Sequence, residues 1–196
     1  MTEIRLASAE DAETAGRILA AGFEDDPVLS WAMSDPGRRA KLEALFGFAV
    51  RTTFAPATYL DDDGAVAAAW LPTPGQRNGD EAEALEMGAA LLEAGATAED
   101  LDRLIVLGET MDAVHPAEPH WYLGMIATLP DRRSEGLGSA LLAHCLRIVD
   151  AEGVPAYLES SNPRNLGLYE RHGFVATGRI DLPDGVFMTP MWREAR

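Results

Sequence analysis

Chemistry is possible at two stretches of this chain, and the first is RRSEGLGSALL over 132–142, where Gly136 and Gly138 separate an apolar run from an amphipathic one. The first turn of a helix leaves backbone N–H groups without intrahelical partners, and aligned peptide dipoles put partial positive charge there. Amides over 133–139 therefore suit a diphosphate, with the glycines letting the backbone approach closely. No Lys-Ser/Thr pair follows, so this is not the P-loop of nucleotide triphosphatases; GLG also lacks the three-glycine spacing and downstream acid of a dinucleotide fold. Taken alone, the stretch fits a strand-to-helix turn without a ligand equally well.

The second stretch is AYLESSNPRNLGLYERHGF. It reads as a short strand over 156–161, an Asn-Pro-Arg-Asn turn, a helix over 166–172 closed by Gly173, and another strand from Phe174.

That order of elements resembles the GCN5-related N-acetyltransferases (GNATs), whose acetyl-CoA signature Gln/Arg-x-x-Gly-x-Gly/Ala is matched by Arg133, Gly136 and Gly138. Within the superfamily, 120–193 is most similar to the puromycin N-acetyltransferase group, through EPHWYLGMIA, GLGSALL, EGVPAYLESSNPRNLGLYERHGF and LPDGVFMTPMWR. Nearer the N-terminus, AGFEDDPVLSW is similar to the AF-x-x-DP-x-x-W segment of the same group.

The resemblance implies an α/β (α+β) GNAT fold in one domain over 1–196, with a mixed, mostly antiparallel sheet, helices on both faces and a helical insertion at about 79–114. It implies acetyl-CoA as co-substrate, no metal, and direct transfer to a primary amine of a small molecule. Transfer to a protein or peptide, and a non-catalytic acyl-CoA sensor, are the alternatives. Backbone groups of Met125, Ile126 and Ala127 would pair with the pantetheine arm as an added strand. The diphosphate would meet Arg133, Ser134, Glu135, Gly136, Leu137, Gly138 and Ser139, with Arg132 alongside. Asn162 and Asn165 are both candidates for a side-chain bond to the cofactor, Asn165 being favoured. Tyr169 aligns with the general acid toward the departing thiolate, a role suited to a phenol of pKa about 10 facing a thiol of about 8.5.

Departures from the family pattern are local. Ser134 and Glu135 stand where members commonly have Gly and a basic residue, which puts an acid in the diphosphate loop. A general base must deprotonate an alkylammonium of pKa about 10.4. Glu159, at the end of its strand, and His120, at the start of the strand before the signature, are the candidates, each acting directly or through a water. Glu24, Asp25 and Asp26 form an acidic cluster that would attract a cationic acceptor.

Stepping outward, the elements that must position these residues are legible from period and punctuation. Strands are expected at 4–6, 57–61, 65–71 and 121–128, and helices at 9–22, 27–33, 36–53, 81–93 and 98–114. The strands at 121–128 and 156–160 should run parallel and splay, with a bulge at Gly124 freeing amides. LPTPGQRNGD over 71–80 reads as a breaker-rich loop; Met87 and Met111 in the insertion read first as core packing, with lining of the cleft as the alternative.

With 196 residues, 47% of them hydrophobic, the chain can bury a full core. A net charge of −16 disfavours nucleic acid and anionic membranes and mildly favours cationic acceptors. Without a long apolar run or a basic-then-apolar N-terminus, a cytoplasmic, bacterial protein is expected, as monomer or homodimer. The single cysteine, Cys145, falls on the apolar face of its helix and reads as packing.

Overall fold

The computed structural model describes residues 3–34, 36–73 and 81–196. The N-terminal half runs β1 (Ile4–Leu6), α1 (Ala12–Phe23), α2 (Pro27–Ala32), α3 (Arg38–Arg51), β2 (Thr58–Asp61) and β3 (Val66–Thr73), then the inserted α4 (Glu81–Glu93) and α5 (Ala98–Asp112). β4 (His120–Thr128), α6 (Leu137–Glu152), β5 (Ala156–Ser160), α7 (Leu166–Arg171), β6 (Val175–Ala176), β7 (Ile180–Asp181) and β8 (Phe187–Arg193) follow. The expected loop at 71–80 lies mostly outside the described residues.

The strands form one sheet in the order β1-β2-β3-β4-β5-β8-β6, with β7 on β8; every pairing is antiparallel except β4 with β5. This is the mixed, mostly antiparallel architecture expected. Leu19, Leu42 and Phe46 of α1 and α3 pack with Tyr122, Met125 and Tyr157 on one face. Leu141, Leu142, Cys145 and Val149 of α6 pack with Trp70, Leu123 and Leu158 on the other.

Element boundaries shift where local chemistry decides. The first helix opens as a 3-10 turn, Ala9–Asp11, because the Asp11 carboxylate accepts from the Ser8 amide and hydroxyl, both at 2.7 Å, and forms a capping box. α3 starts at Arg38 after Gly37, whose φ of +87° is left-handed and cannot continue a helix backwards.

β4 and β5 are paired only at Trp121 with Ala156 and Tyr122 with Tyr157, after which they part. Against β3, Ala69 faces Met125 while Trp70 faces Leu123, so Gly124 is the extra residue of a bulge. The bulge changes the strand's phase, and Met125 and Ala127 join Tyr122 on the α1 face. A Cβ on Gly124 would lie 2.5 Å from the Phe54 ring, so the position is held open for a close approach as well.

Lys41 of α3 and Asp100 of α5 make a buried ion pair of 2.7 Å, each side chain 2% exposed. The ammonium also donates to the Ser34 carbonyl at 3.0 Å and hydroxyl at 3.3 Å. Asp100 accepts from the amides of Ser34 and Thr97 at 2.8 and 2.9 Å. All three ammonium hydrogens and both carboxylate oxygens are thus engaged, and the inserted α5 is fastened to the body of the protein.

Candidate functional site

The parting strands open a cleft of 550 Å³ between β4, the α6 N-terminus and α7. Ile126, Ala127 and Thr128 form one wall, and past Tyr122 this edge of β4 is not paired with β5. The loop to α6 forms the other wall through Arg132, Arg133, Ser134, Gly136, Leu137, Gly138 and Ser139. Gly136 caps α6 with a φ of +81°, and no side chain bonds the first-turn amides. Those donors and their share of the helix dipole meet the needs of a phosphate. Gly138 answers a packing need as well, since a Cβ there would lie 3.3 Å from the Thr128 hydroxyl.

Several expected residues sit differently. Glu135 does not border the cleft; its carboxylate accepts from Arg132 Nε at 3.0 and 3.1 Å. The acid therefore draws a guanidinium that does border the cleft. Arg133 reaches across to donate to the Gly22 carbonyl at 2.9 Å. Ser134 holds a left-handed φ of +67°, a conformation that glycine adopts at no steric cost. Arg164 and Arg171 also line the cleft, and sequence reasoning missed them although Arg164 lies within the Asn turn and Arg171 ends the helix that follows it. Changing Glu135 to Lys is expected to tighten binding of a diphosphate-bearing ligand about twofold to fivefold, the size of a screened surface charge interaction, measurable by titration calorimetry.

The two sequence motifs touch directly. Ser139 Oγ lies 2.8 Å from His172 Nε2, joining the α6 turn to the end of α7. Asn162 spends its side-chain oxygen on the Arg164 amide at 3.1 Å as an N-cap, while Asn165 lies deeper, where the cleft meets a second cavity.

That second cavity, of 120 Å³, continues from the cleft past Phe23, Ile126, Asn165 and Tyr169. Its walls are apolar: Val28 and Leu29 of α2, Phe46 of α3, Leu107 and Met111 of α5, and Met188 of β8. Met87 and Met111 both pack against the core, the first reading of each, and Met111 also lines this cavity. Tyr169 is 7% exposed, and burial together with the nearby Asp26 charge pushes its phenol well above the ordinary range. Its hydroxyl therefore stays protonated at neutral pH, with a hydrogen to donate.

The expected acidic cluster is dispersed. Asp26 is buried and N-caps α2, one oxygen accepting from Val28 and Leu29 amides at 3.0 and 3.1 Å and the other from the Ser161 hydroxyl at 2.6 Å. Glu24 pairs with Arg39, and Asp25 is exposed at the cleft. Burial raises the Asp26 pKa.

Glu159 brings the one carboxyl to the lining of the inner cavity, where Ser161, Asn165 and Tyr169 are its polar neighbours. It lies beyond the last β4–β5 pair, its side chain 1% exposed, and neither oxygen has a hydrogen-bond partner. His120 does not line either space: it is buried behind, Nδ1 at 2.7 Å from the Glu118 carbonyl and Nε2 at 3.1 Å from His115 Nε2. Burial lowers its pKa, so it is a neutral imidazole. His115, which sequence reasoning did not single out, places Nδ1 3.6 Å from a Glu159 oxygen.

Cys145 faces the other side of the sheet, its thiol pushed up to about 12 by burial, so it offers no thiolate. Among the described residues no group of three or more His, Cys, Asp or Glu is placed to hold a metal, and no helix is long and apolar enough to cross a membrane.

Residues 89–174 match the acetyltransferase (GNAT) family model. An uncharacterized N-acetyltransferase of Schizosaccharomyces pombe is 28% identical over 178 residues, 85% of this chain and 72% of its own length. Mycothiol acetyltransferase of Acidimicrobium ferrooxidans is 35% identical over 113 residues, 55% of this chain but only 36% of that protein. A crystal structure named for histone acetyltransferase HPA2 and related acetyltransferase, from Corynebacterium glutamicum, superposes with a TM-score of 0.73 at 28% identity, covering 100% of this chain and 98% of the other.

Proposed function

We propose that this GNAT-type N-acetyltransferase moves the acetyl group of acetyl-CoA directly onto the primary amine of a small molecule. One observation carries the reading: a phosphate-suited cleft and a small apolar cavity meet at Tyr169, and a buried carboxylate, Glu159, faces the cavity. Bound acetyl-CoA supplies the activated acyl group as a thioester. The chain's part is to hold it, to exclude water and to manage protons. First-turn amides of α6 accept the diphosphate, and the unpaired edge of β4 at Met125, Ile126 and Ala127 pairs with the arm. Glu159 takes a proton from the acceptor ammonium, leaving a lone pair on nitrogen for attack on the carbonyl. Tyr169 gives its proton to the sulfur as the C–S bond breaks, and recovers one as the new amide nitrogen sheds its second hydrogen. One proton is released per turnover. With Cys145 on the far face of the sheet, no acyl-enzyme is invoked.

The cavity wall favours an amine carried on an apolar body, and α5 keeps the space small. The similarity to the puromycin acetyltransferase group points the same way. A peptide acceptor is the second reading, favoured by the likeness to the Corynebacterium structure.

A free-thiol assay with acetyl-CoA against puromycin, polyamines, aminoglycosides, amino acids and Lys peptides tests this. Thiol release with apolar small amines supports the proposal, and release with peptides alone replaces it with the second reading. Acetyl-CoA binding without release to any amine marks a sensor. Tyr169→Phe should retain acetyl-CoA affinity while kcat falls about ten- to thousandfold; unchanged turnover removes Tyr169 from the acid role.

A further inference from the structure

We infer that His115, with its tautomer set by His120, is the positioning residue that receives, through Glu159, the proton lost by the acceptor amine. The inference rests on the assignment of Glu159 as base made above. It follows from hydrogen-bond bookkeeping along a buried row of groups drawn from three places: the loop before β4, the start of β4, and β5.

The Glu118 carbonyl can only accept, so the His120 nitrogen 2.7 Å from it, Nδ1, carries a hydrogen. His120 is neutral, which leaves its Nε2 bare. His115 Nε2, 3.1 Å away, must therefore donate. With Nε2 committed as the donor to His120, Nδ1 is the ring nitrogen left to share a hydrogen with Glu159, and it faces that carboxyl at 3.6 Å. His115 Nδ1 and a Glu159 oxygen thus face each other just beyond hydrogen-bond length, and both side chains are buried, at 2% and 1% exposure. A proton delivered to Glu159 is one this pair can share.

Both rings are packed among aromatic neighbours. His115 is boxed edge-on by Tyr122 and Tyr157, with ring centroids at 5.0 and 5.2 Å, and lies 4.9 Å from His120. His120 is in turn held against Tyr157 and Trp192. The titratable groups facing the histidine pair are Glu159 and Tyr157 from β5, Tyr122 from β4 and Glu118 from the preceding loop; β8 contributes the uncharged Trp192.

The step balances simply. The N–H bond of the ammonium breaks, its electron pair stays on nitrogen, and an O–H bond forms on Glu159. That hydrogen then bridges to His115 Nδ1. After acyl transfer it leaves to solvent as the single proton released.

The test compares His115→Gln, Glu159→Gln and the double variant by thiol release across pH, using whichever amine the wild-type enzyme accepts. His115→Gln should lower kcat about ten- to hundredfold and shift the acid limb of its pH profile, with the KM for acetyl-CoA within about twofold of wild type. The double variant should be no slower than Glu159→Gln, as for residues that act as one unit. Wild-type kcat and pH profile in His115→Gln beside an impaired Glu159→Gln overturn the inference alone. Full activity in Glu159→Gln overturns the base assignment as well. Long-range nitrogen NMR on the wild-type protein reads the tautomers without any variant: His120 with Nδ1–H and His115 with Nε2–H are expected, and His120 protonated on Nε2 overturns the inference even if the variants do not fold.

Discussion

Glu159→Gln is expected to lower kcat by about 10²- to 10⁴-fold, the usual worth of a positioned general base, while leaving the KM for acetyl-CoA nearly unchanged. The substitution is close to isosteric, so the walls of the cavity keep their shape. It removes the charge and the proton affinity and nothing else. It should not cost stability either. A buried carboxylate with no hydrogen-bond partner is a burden on the fold, whereas a Gln amide can donate to Nδ1 of His115. The variant should therefore unfold at the same temperature as wild type or higher, measured by calorimetry, while a free-thiol assay reports the loss of turnover. Unchanged kcat would show that deprotonation is handled elsewhere. A collapse in Tm would show that Glu159 is structural.

The second large effect concerns the clamp on α5. Lys41→Met should destabilise the chain by about 3–5 kcal/mol, because Asp100 would be left charged, 2% exposed and without its counterion. For a domain of this size that is roughly 10 °C in Tm. Adding Asp100→Asn should restore most of the loss, since the pair would then be neutral and the Ser34 and Thr97 amides would keep an acceptor. The pH dependence follows from the carboxyl. Burial alone would push the Asp100 pKa up, but the Lys41 ammonium and the two amides outweigh it and hold it well below the usual carboxylate range. A depressed acid contributes its full stabilisation above the unfolded value of about 3.9 and loses it as pH falls through the lower folded value. The gap between wild type and Lys41→Met should thus be widest at neutral pH and begin to narrow as acid protonates the unpaired Asp100 of the variant, whose pKa rises once the ammonium no longer offsets burial. It should close further as the wild-type carboxyl titrates in stronger acid. Urea unfolding at several pH values checks both claims.

The donor half was legible because its requirements are local. Gly136 must adopt a positive φ at the start of α6, and the amides that face the cleft follow it consecutively, so a contiguous string encodes the whole device. The bulge at Gly124 was also readable, from a glycine inside a strand. Asp26 shows a signal that was present but read by charge alone: an Asp before Pro27 is an N-cap, and the structure uses it so. The acceptor half is different in kind. Lys41 has an intelligible place only beside Asp100, 59 residues away, and His115 only beside Glu159 of β5. Such pairs are made by the tertiary fold and leave no mark on neighbouring residues. The sole local hint of the histidine pair was the short HPAEPH stretch, in a chain with just 4 histidines.

Lys41 is also the only lysine in the chain; every other side-chain cation at neutral pH is an arginine. Its ammonium is 2% exposed and committed to three oxygens, so the folded protein presents no ε-amine at its surface. A catalyst that places acetyl groups on amines thereby carries no lysine side chain for itself, or another copy of itself, to modify. Reagents that tag lysines should likewise leave the native side chains untouched and label position 41 only as the protein unfolds.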